Sequence, residues 1–298
     1  MSREICYILM DPTKNMTILV ETPVPPESQP SVAARLMEQE PAAEQVGFLS
    51  AAGSTDHFGS TSAASRPDAE DRPAQCAVSL RMAGGEFCGN AAMSAAAYYS
   101  MCAGITEGQV SVQVSGTPAP VTVNIRKHEN GTVTSRRAAV HMPHPVSVET
   151  ISFPEGQILP VVTFPGISHV IVDKTDIPFG KKTLKDPAAD TDRETAEEYA
   201  RRWCSFLGTD ALGLMFLNER ESRLTPLVYV PAADTLFWES ACASGTAAVG
   251  TWMAEKTGRP VALSLRQPGG ILKISTTPDG TLLLEGTVHC CYKKTVLL

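Results

Sequence analysis

The chain has 298 residues, 43% apolar and 19% charged, with 22 glycines and 22 prolines. At roughly 150 residues per domain this favours two globular domains, and it excludes a disordered, collagen-like or peptide-scale scaffold. Acidic residues outnumber basic ones 32 to 25, giving a net charge of −7, so a polyanion such as nucleic acid is not the expected partner.

Residues 5–10 (ICYILM) predict a first strand; the run is too short for a signal segment and stops at Asp11, which points to a cytoplasmic protein. A second strand is expected over 16–21, then a Pro-rich connector, TPVPPESQP. Ser31 is expected to cap a short helix with Val32, Ala33, Leu36 and Met37 on one side, before a strand at 45–49. Residues 50–75, small and polar, read as a surface loop in which His57 is solvated. A strand over 76–82 is broken by Gly84-Gly85, and an uncharged helix begins near Gly89.

The segment from Phe87 to Thr106 carries no charge, yet Gly89, Asn90, Ser94, Ser100, Gly104 and Thr106 dilute it; a helix this small all round belongs in a protein core, not in a membrane. Further short strands follow in VSVQVSG, PVTVNIR and AAVHMP, and the stretch MPHPVSVE reads as a domain boundary. Beyond it, ILPVVTFP, SHVIVD, LGLMFLN and LTPLVYVP predict strands, 191–207 a surface helix and 240–253 a second uncharged, buried helix. The expected domains are therefore 1–143, together with a C-terminal strand near 286–298, and 144–285.

The two buried helices share a register. An offset of 154 aligns Cys88 with Cys242, Gly104 with Gly258 and Gly116 with Gly270, which suggests duplication. The eight cysteines read as reduced thiols. Neither His289-Cys290-Cys291 nor His141 with His144 has the spaced pairs of a zinc site, so no metal is expected. No phosphate-binding glycine loop and no pyridoxal-phosphate site is found, and no cofactor is expected.

In both Gly84-Gly85-Glu86-Phe87-Cys88-Gly89-Asn90 and Trp238-Glu239-Ser240-Ala241-Cys242-Ala243-Ser244-Gly245 a cysteine sits at a helix start. Unpaired N–H groups and the positive end of the helix dipole favour a thiolate there, lowering the thiol below its ordinary value. Gly89, Ala243, Ser244 and Gly245 are small enough to let a carboxylate reach those N–H groups. With two such starts facing each other across a cleft, one sulfur could take an α-proton while the other returns one to the opposite face.

These stretches resemble the diaminopimelate epimerase superfamily of cofactor-independent racemases and epimerases, and the resemblance runs through most of the chain. It implies an α/β (α+β) fold of two pseudo-symmetric domains, each a curved sheet or barrel around a central buried helix. It implies Cys88 and Cys242 as catalytic residues. KNMTILV resembles the family's early Asn-bearing strand, placing Asn15 in the site; Ala43-Glu44-Gln45-Val46 resembles its acidic-Gln element, placing Gln45 and Glu44 there. FPGISHVIV resembles the family's Asn-Pro-His turn and carries over His169 as a pocket residue, with a core histidine as the alternative. Asn90 belongs to the Cys-Gly-Asn signature, and Glu86 and Glu239 are candidates for the substrate's amino group or for simple solvated carboxylates.

The departures fall at Ile167, Ala211 and Ala233-Asp234; in the epimerases several of these positions hold the distal end of diaminopimelate with polar groups, and here they are apolar or acidic. The motifs are closer to the subgroup of amino-acid racemases that includes the histidine racemases of metallophore biosynthesis. The expected activity is thus a two-base racemase of histidine. The alternatives are a diaminopimelate epimerase or a racemase of another amino acid, and then a related isomerase or a non-catalytic amino-acid-binding protein. The expected partner is a small-molecule amino acid, with homodimerisation left open.

Overall fold

Strand β1 (Glu4–Pro12) is apolar on nearly every residue because both of its faces are covered. In the computed structural model, which describes residues 3–51, 77–128, 134–173, 178–179, 182–183 and 190–298, Ile5, Tyr7 and Leu9 pack with Leu36 of helix α1 (Gln29–Gln39). The expected loop at 50–75, His57 included, lies outside the described residues apart from 50 and 51, and so does Cys76.

The chain divides into two compact units, residues 1–141 with 285–298, and residues 142–284. The first contains β1, β2 (Thr17–Val20), α1, β3 (Gln45–Ala51), β4 (Val78–Met82), α2 (Gly89–Cys102), β5 (Glu107–Val114), β6 (Val121–Lys127) and β7 (Ser135–Met142). Its strands follow one another in that order, and the long C-terminal strand (Leu282–Leu297) lies beside β7 and pairs back with β1, from Glu4 opposite Leu297 to Pro12 opposite Val288. The result is a closed eight-stranded barrel. Helix α2 touches β1, β2, β4, β5 and β6, so it fills the interior. Only small side chains fit against so many strands at once, which accounts for its run of Ala, Ser and Gly, buried from Gly89 to Tyr98.

The second unit contains β8 (Ser147–Ser152), β9 (Ile158–Phe164), β10 (Ile167–Asp173), β11 (Pro178–Phe179), β12 (Lys182–Thr183), α3 (Asp190–Leu207), β13 (Leu212–Asn218), β14 (Arg223–Val230), β15 (Thr235–Trp238), α4 (Ala243–Thr257), β16 (Ala262–Gln267) and β17 (Gly270–Thr276). Trp203 of α3 packs with Phe153, Leu214 and Phe216 and donates its indole N–H to Glu155 at 2.9 Å. Helix α4 lies against β9, β10, β13, β16 and β17.

The connections of the two units repeat. In the first, α1 joins the parallel pair β2 and β3, an antiparallel β4 follows, and α2 then crosses to the parallel β5. In the second, α3 joins the parallel β10 and β13, an antiparallel β14 follows, and α4 crosses to the parallel β16. Gly104 and Gly258 close their helices with left-handed φ of 69° and 67°. Both offset and topology mark a pseudo-symmetric fold.

Two local expectations are corrected. Helix α1 begins at Gln29, because Pro30 suits the first turn with its fixed φ and missing N–H; Ser31 therefore lies inside the helix and donates to the Ser28 carbonyl at 3.1 Å. Helix α4 starts at Ala243 and extends past the uncharged run to Thr257, with Glu255 and Lys256 in its exposed end. Among the described residues, no helix is long and apolar enough to cross a membrane.

Candidate active site

Each buried helix begins with a cysteine in the capping position. Cys88 has extended backbone (φ −132°, ψ 114°) and its sulfur accepts the Ala91 N–H at 3.4 Å; Cys242 (φ −111°, ψ 112°) accepts the Gly245 N–H at 3.4 Å. The sulfurs thus stand where a Ser or Asp oxygen normally caps a helix, beside the remaining first-turn N–H groups.

The segment ahead of each cysteine is held from the following hairpin. Ser115 donates its hydroxyl to the Glu86 carbonyl at 2.8 Å, and Gly269 donates its N–H to the Ser240 carbonyl at 2.8 Å. Both pairs obey the offset of 154. Gly116 adds a steric requirement: its φ is 78°, and a Cβ there would lie 2.3 Å from the Phe87 nitrogen, so only glycine lets the hairpin pass under the Phe87-Cys88 segment.

Around Cys88 the structure gathers Asn15, Glu44, Gln45 and Asn90. The Cys88 thiol donates to Gln45 Oε1 at 2.8 Å. Gln45 Nε2 donates to Asn15 Oδ1 at 2.5 Å and to Thr17 Oγ1 at 2.8 Å. Asn90 Nδ2 also reaches Asn15 Oδ1, at 2.8 Å, and Asn15 Nδ2 donates to the Glu44 carboxylate. Asn15 is delivered by a tight turn in which Thr13 and Lys14 both take left-handed φ, 58° and 63°, with Asp11 accepting the Lys14 N–H at 2.6 Å. Glu86 is not part of this cluster; it is exposed, and its carboxylate folds back over Gly84.

Around Cys242 the partners differ. Gln267 at the end of β16 accepts the Cys242 N–H at 2.8 Å and donates to Thr246 Oγ1 at 2.7 Å, and Thr246 in turn donates to the Cys242 carbonyl at 2.6 Å. This closed ring clamps the cysteine backbone. Ser244 Oγ lies 3.6 Å from the sulfur, and Glu239 is hydrogen-bonded to the thiol. Burial and the Glu239 charge push the Cys242 thiol well above its ordinary value, outweighing the Gly245 N–H and Ser244. The expected lowering at a helix start is therefore overturned for this residue, because desolvation and a carboxylate neighbour oppose the thiolate more than the helix favours it.

His169 lies wholly buried on β10, opposite Gly213 of β13 and edge-on to Phe164. A Cβ at Gly213 would meet its Nδ1 at 2.2 Å and Met215 Cε at 2.8 Å. Met215 in turn lies 2.0 Å (Sδ) from where a Cβ on Gly245 would stand, and that Cβ would be 3.2 Å from the Cys242 sulfur. The thioether thus occupies the space left by two glycines, with the imidazole at one and the Cys242 turn at the other. Thr17, Gln267, Thr246, Ser115 and Met215 were not anticipated from sequence. Thr17 had a signal, since it follows Asn15 by two residues, the spacing of one strand face.

Neither ring nitrogen of His169 has a hydrogen-bond partner among the described residues, and burial lowers the imidazole from 6.5 to about 3. The unfolded chain takes up a proton below about 6.5 that the folded one refuses, so His169 leaves stability intact above that pH and erodes it as pH falls towards the folded value. Its contribution to the slope is at most about 1.4 kcal/mol per pH unit. Urea unfolding of His169→Leu between pH 6.5 and 4.5 should show a shallower pH dependence than the parent; equal slopes would contradict this.

The sequence profile described as the histidine racemase CntK N-terminal domain matches residues 4–65 and 68–289. A histidine racemase of Fusobacterium nucleatum is 28% identical over 287 residues, covering 95% of this chain and 93% of that protein. One from Staphylococcus aureus is 26% identical over 281 residues, covering 93% and 90%. Among solved structures, a hydroxyproline epimerase from Agrobacterium vitis is similar with a TM-score of 0.66 at 11% identity, over 99% of this chain and 93% of that one. A phenazine biosynthesis protein of the PhzF family from Bacillus anthracis gives 0.62 at 12% identity, over 99% and 100%. The structural likenesses establish the fold; the profile, matched along nearly the whole chain, establishes that this protein belongs to the histidine racemase family of isomerases.

Proposed function

We propose that the protein racemises histidine, inverting the α-carbon with Cys88 and Cys242 as its two acid–base groups and without a pyridoxal cofactor. The observation that carries this reading is the repetition of one arrangement: a cysteine capping the second crossover helix of each unit, with its sulfur on the third residue's N–H. A coincidental core cysteine would have no reason to recur at the same topological position with the same backbone geometry.

In the proposed reaction one sulfur first yields its thiol proton to solvent, the resulting thiolate takes the α-proton, the C–H electron pair moves into the carboxylate as an enediolate, and the other thiol gives its proton to the opposite face. The two sulfurs exchange protonation states, and no other reactant is consumed. First-turn N–H groups of α2 and α4 are suited to hold the carboxylate and the charge that develops on it. Glu239 and Glu44 are the candidates for the substrate's ammonium group. A cytoplasmic location belongs to this reading, since a thiol pair needs a reducing compartment.

Histidine is favoured over diaminopimelate by the names of the relatives and by Ile167 and Ala211, which offer no side-chain partner to a second ammonium and carboxylate. Leaving such charges unpaired in a closed site would cost several kcal/mol. An imidazole, with one donor and one acceptor, makes less demand.

Cys88→Ala and Cys242→Ala should each lower racemisation of L-histidine by about 10²–10⁴-fold, read by chiral chromatography, with far-UV circular dichroism unchanged. Near-parental turnover by either folded variant would contradict the two-thiol assignment. In the parent, α-proton exchange should be faster for histidine than for diaminopimelate at equal concentration; the reverse order would move the substrate while leaving the two thiols in place.

A further inference from the structure

The hydrogen bonds around Cys88 have a direction as well as a geometry. A carboxylate only accepts, so Glu44 compels Asn15 to turn its Nδ2 towards it and its Oδ1 away. That Oδ1 then receives Gln45 Nε2 at 2.5 Å, which leaves Gln45 Oε1 as the end facing the Cys88 sulfur at 2.8 Å. A second anchor points the same way: the Thr17 hydroxyl donates to the Asn15 carbonyl at 3.0 Å, so its oxygen is available to accept from Gln45 Nε2 at 2.8 Å. Asn90 Nδ2, 2.8 Å from Asn15 Oδ1, also requires an acceptor there.

An amide can present either end to a sulfur, with opposite consequences. An N–H directed at the sulfur stabilises S⁻, whereas a carbonyl oxygen accepts from S–H and repels S⁻. We propose that Glu44, acting through Asn15, is a positioning residue that holds the Gln45 amide with its oxygen towards Cys88 and thereby keeps that sulfur as a proton-bearing thiol in the resting protein. The inference rests on the reading of Cys88 as an acid–base group and adds how its resting protonation state is chosen. It also assigns Gln45 a task other than substrate contact.

Replacing Glu44 by Gln permits the relay to reverse: the new amide can donate to Asn15 Oδ1, Asn15 Nδ2 to Gln45 Oε1, and Gln45 Nε2 can then face the sulfur, with the Thr17 hydroxyl turning from the Asn15 carbonyl to donate to Gln45 Oε1 and Asn90 turning its Oδ1 towards Asn15 Nδ2. The thiolate fraction of Cys88 should rise. The test is the rate of iodoacetamide alkylation of Cys88 in the full-length protein near pH 7, followed on its own peptide by mass spectrometry, since only the thiolate reacts appreciably. Glu44→Gln should accelerate it roughly three- to tenfold, the range an altered hydrogen bond of ordinary strength gives. Loss of the Glu44 charge alone would act in the same direction, so the decisive arm is Glu44→Gln placed in a Gln45→Met background, where no amide remains to turn. There the substitution should have less than about a twofold effect, being outside the range expected for a rearranged hydrogen bond.

Equal acceleration in both backgrounds, or none in the parent, would overturn the proposal. Gln45→Leu serves as the background if Gln45→Met does not fold. Because the readout is thiol reactivity and not turnover, a wrong substrate or an inactive preparation would leave this result standing, and a failure here would leave racemisation to be judged by its own variants.

Discussion

One steric constraint underlies the rest of the structure: a helix enclosed by strands must be thin. In the first unit α2 touches five strands of a closed barrel, and its Ala-rich sequence follows from that enclosure. Enclosure then dictates what its first turn can be. The end of a buried helix has N–H groups with no helical partner, and water does not reach them freely, so the capping side chain becomes a fixed part of the architecture. Placing a cysteine there puts a sulfur among oriented N–H groups at a position the barrel itself defines. The supporting contacts come from the hairpin after the helix, through Ser115 and Gly116 in one unit and Gly269 in the other.

Although the two starts repeat one backbone plan, they give their sulfurs different surroundings. Cys88 is half-buried and faces a neutral amide in a chain of polar side chains ending at Glu44. Cys242 is buried, clamped through its backbone by Gln267 and Thr246, and has a carboxylate, Glu239, as a direct neighbour. The two units thus share the helix cap while the environment of each thiol differs. Such divergence is what environment-tuned acid–base pairs require, because two groups of one chemical type take on separate tasks only when their surroundings differ.

The fold was legible in the sequence where a physical rule leaves few options. Uncharged, small-residue runs at 87–106 and 240–253 mark the buried helices α2 and α4, and the recurrence of Cys, Gly and Gly at one offset matches the repeat seen in the strand connections. Asn15, Gln45 and Asn90 were reached through resemblance, and they meet at Cys88 because a turn with two left-handed residues and the start of β3 converge there. What escaped was tertiary in origin. Gln267 and Thr246 carry no local motif, and their role exists only once β16 lies beside the start of α4. The raised Cys242 thiol escaped for a similar reason: helix-start logic is local, whereas desolvation and the approach of Glu239 depend on the packed unit.

The central claim is that two single-proton groups serve opposite faces of one α-carbon, and isotope flow at low conversion tests it most directly. L-Histidine is to be racemised in deuterium oxide to a few per cent, the enantiomers separated, and the α-deuterium of each measured by mass spectrometry. A thiol that exchanged with solvent before turnover delivers deuterium to the product, while the opposing thiol holds the abstracted protium and can only return it to the face it came from. D-Histidine should carry deuterium from the first turnovers while residual L-histidine remains protiated. Deuterium entering both enantiomers at equal rates, or protium retained in the D-product, would contradict that claim.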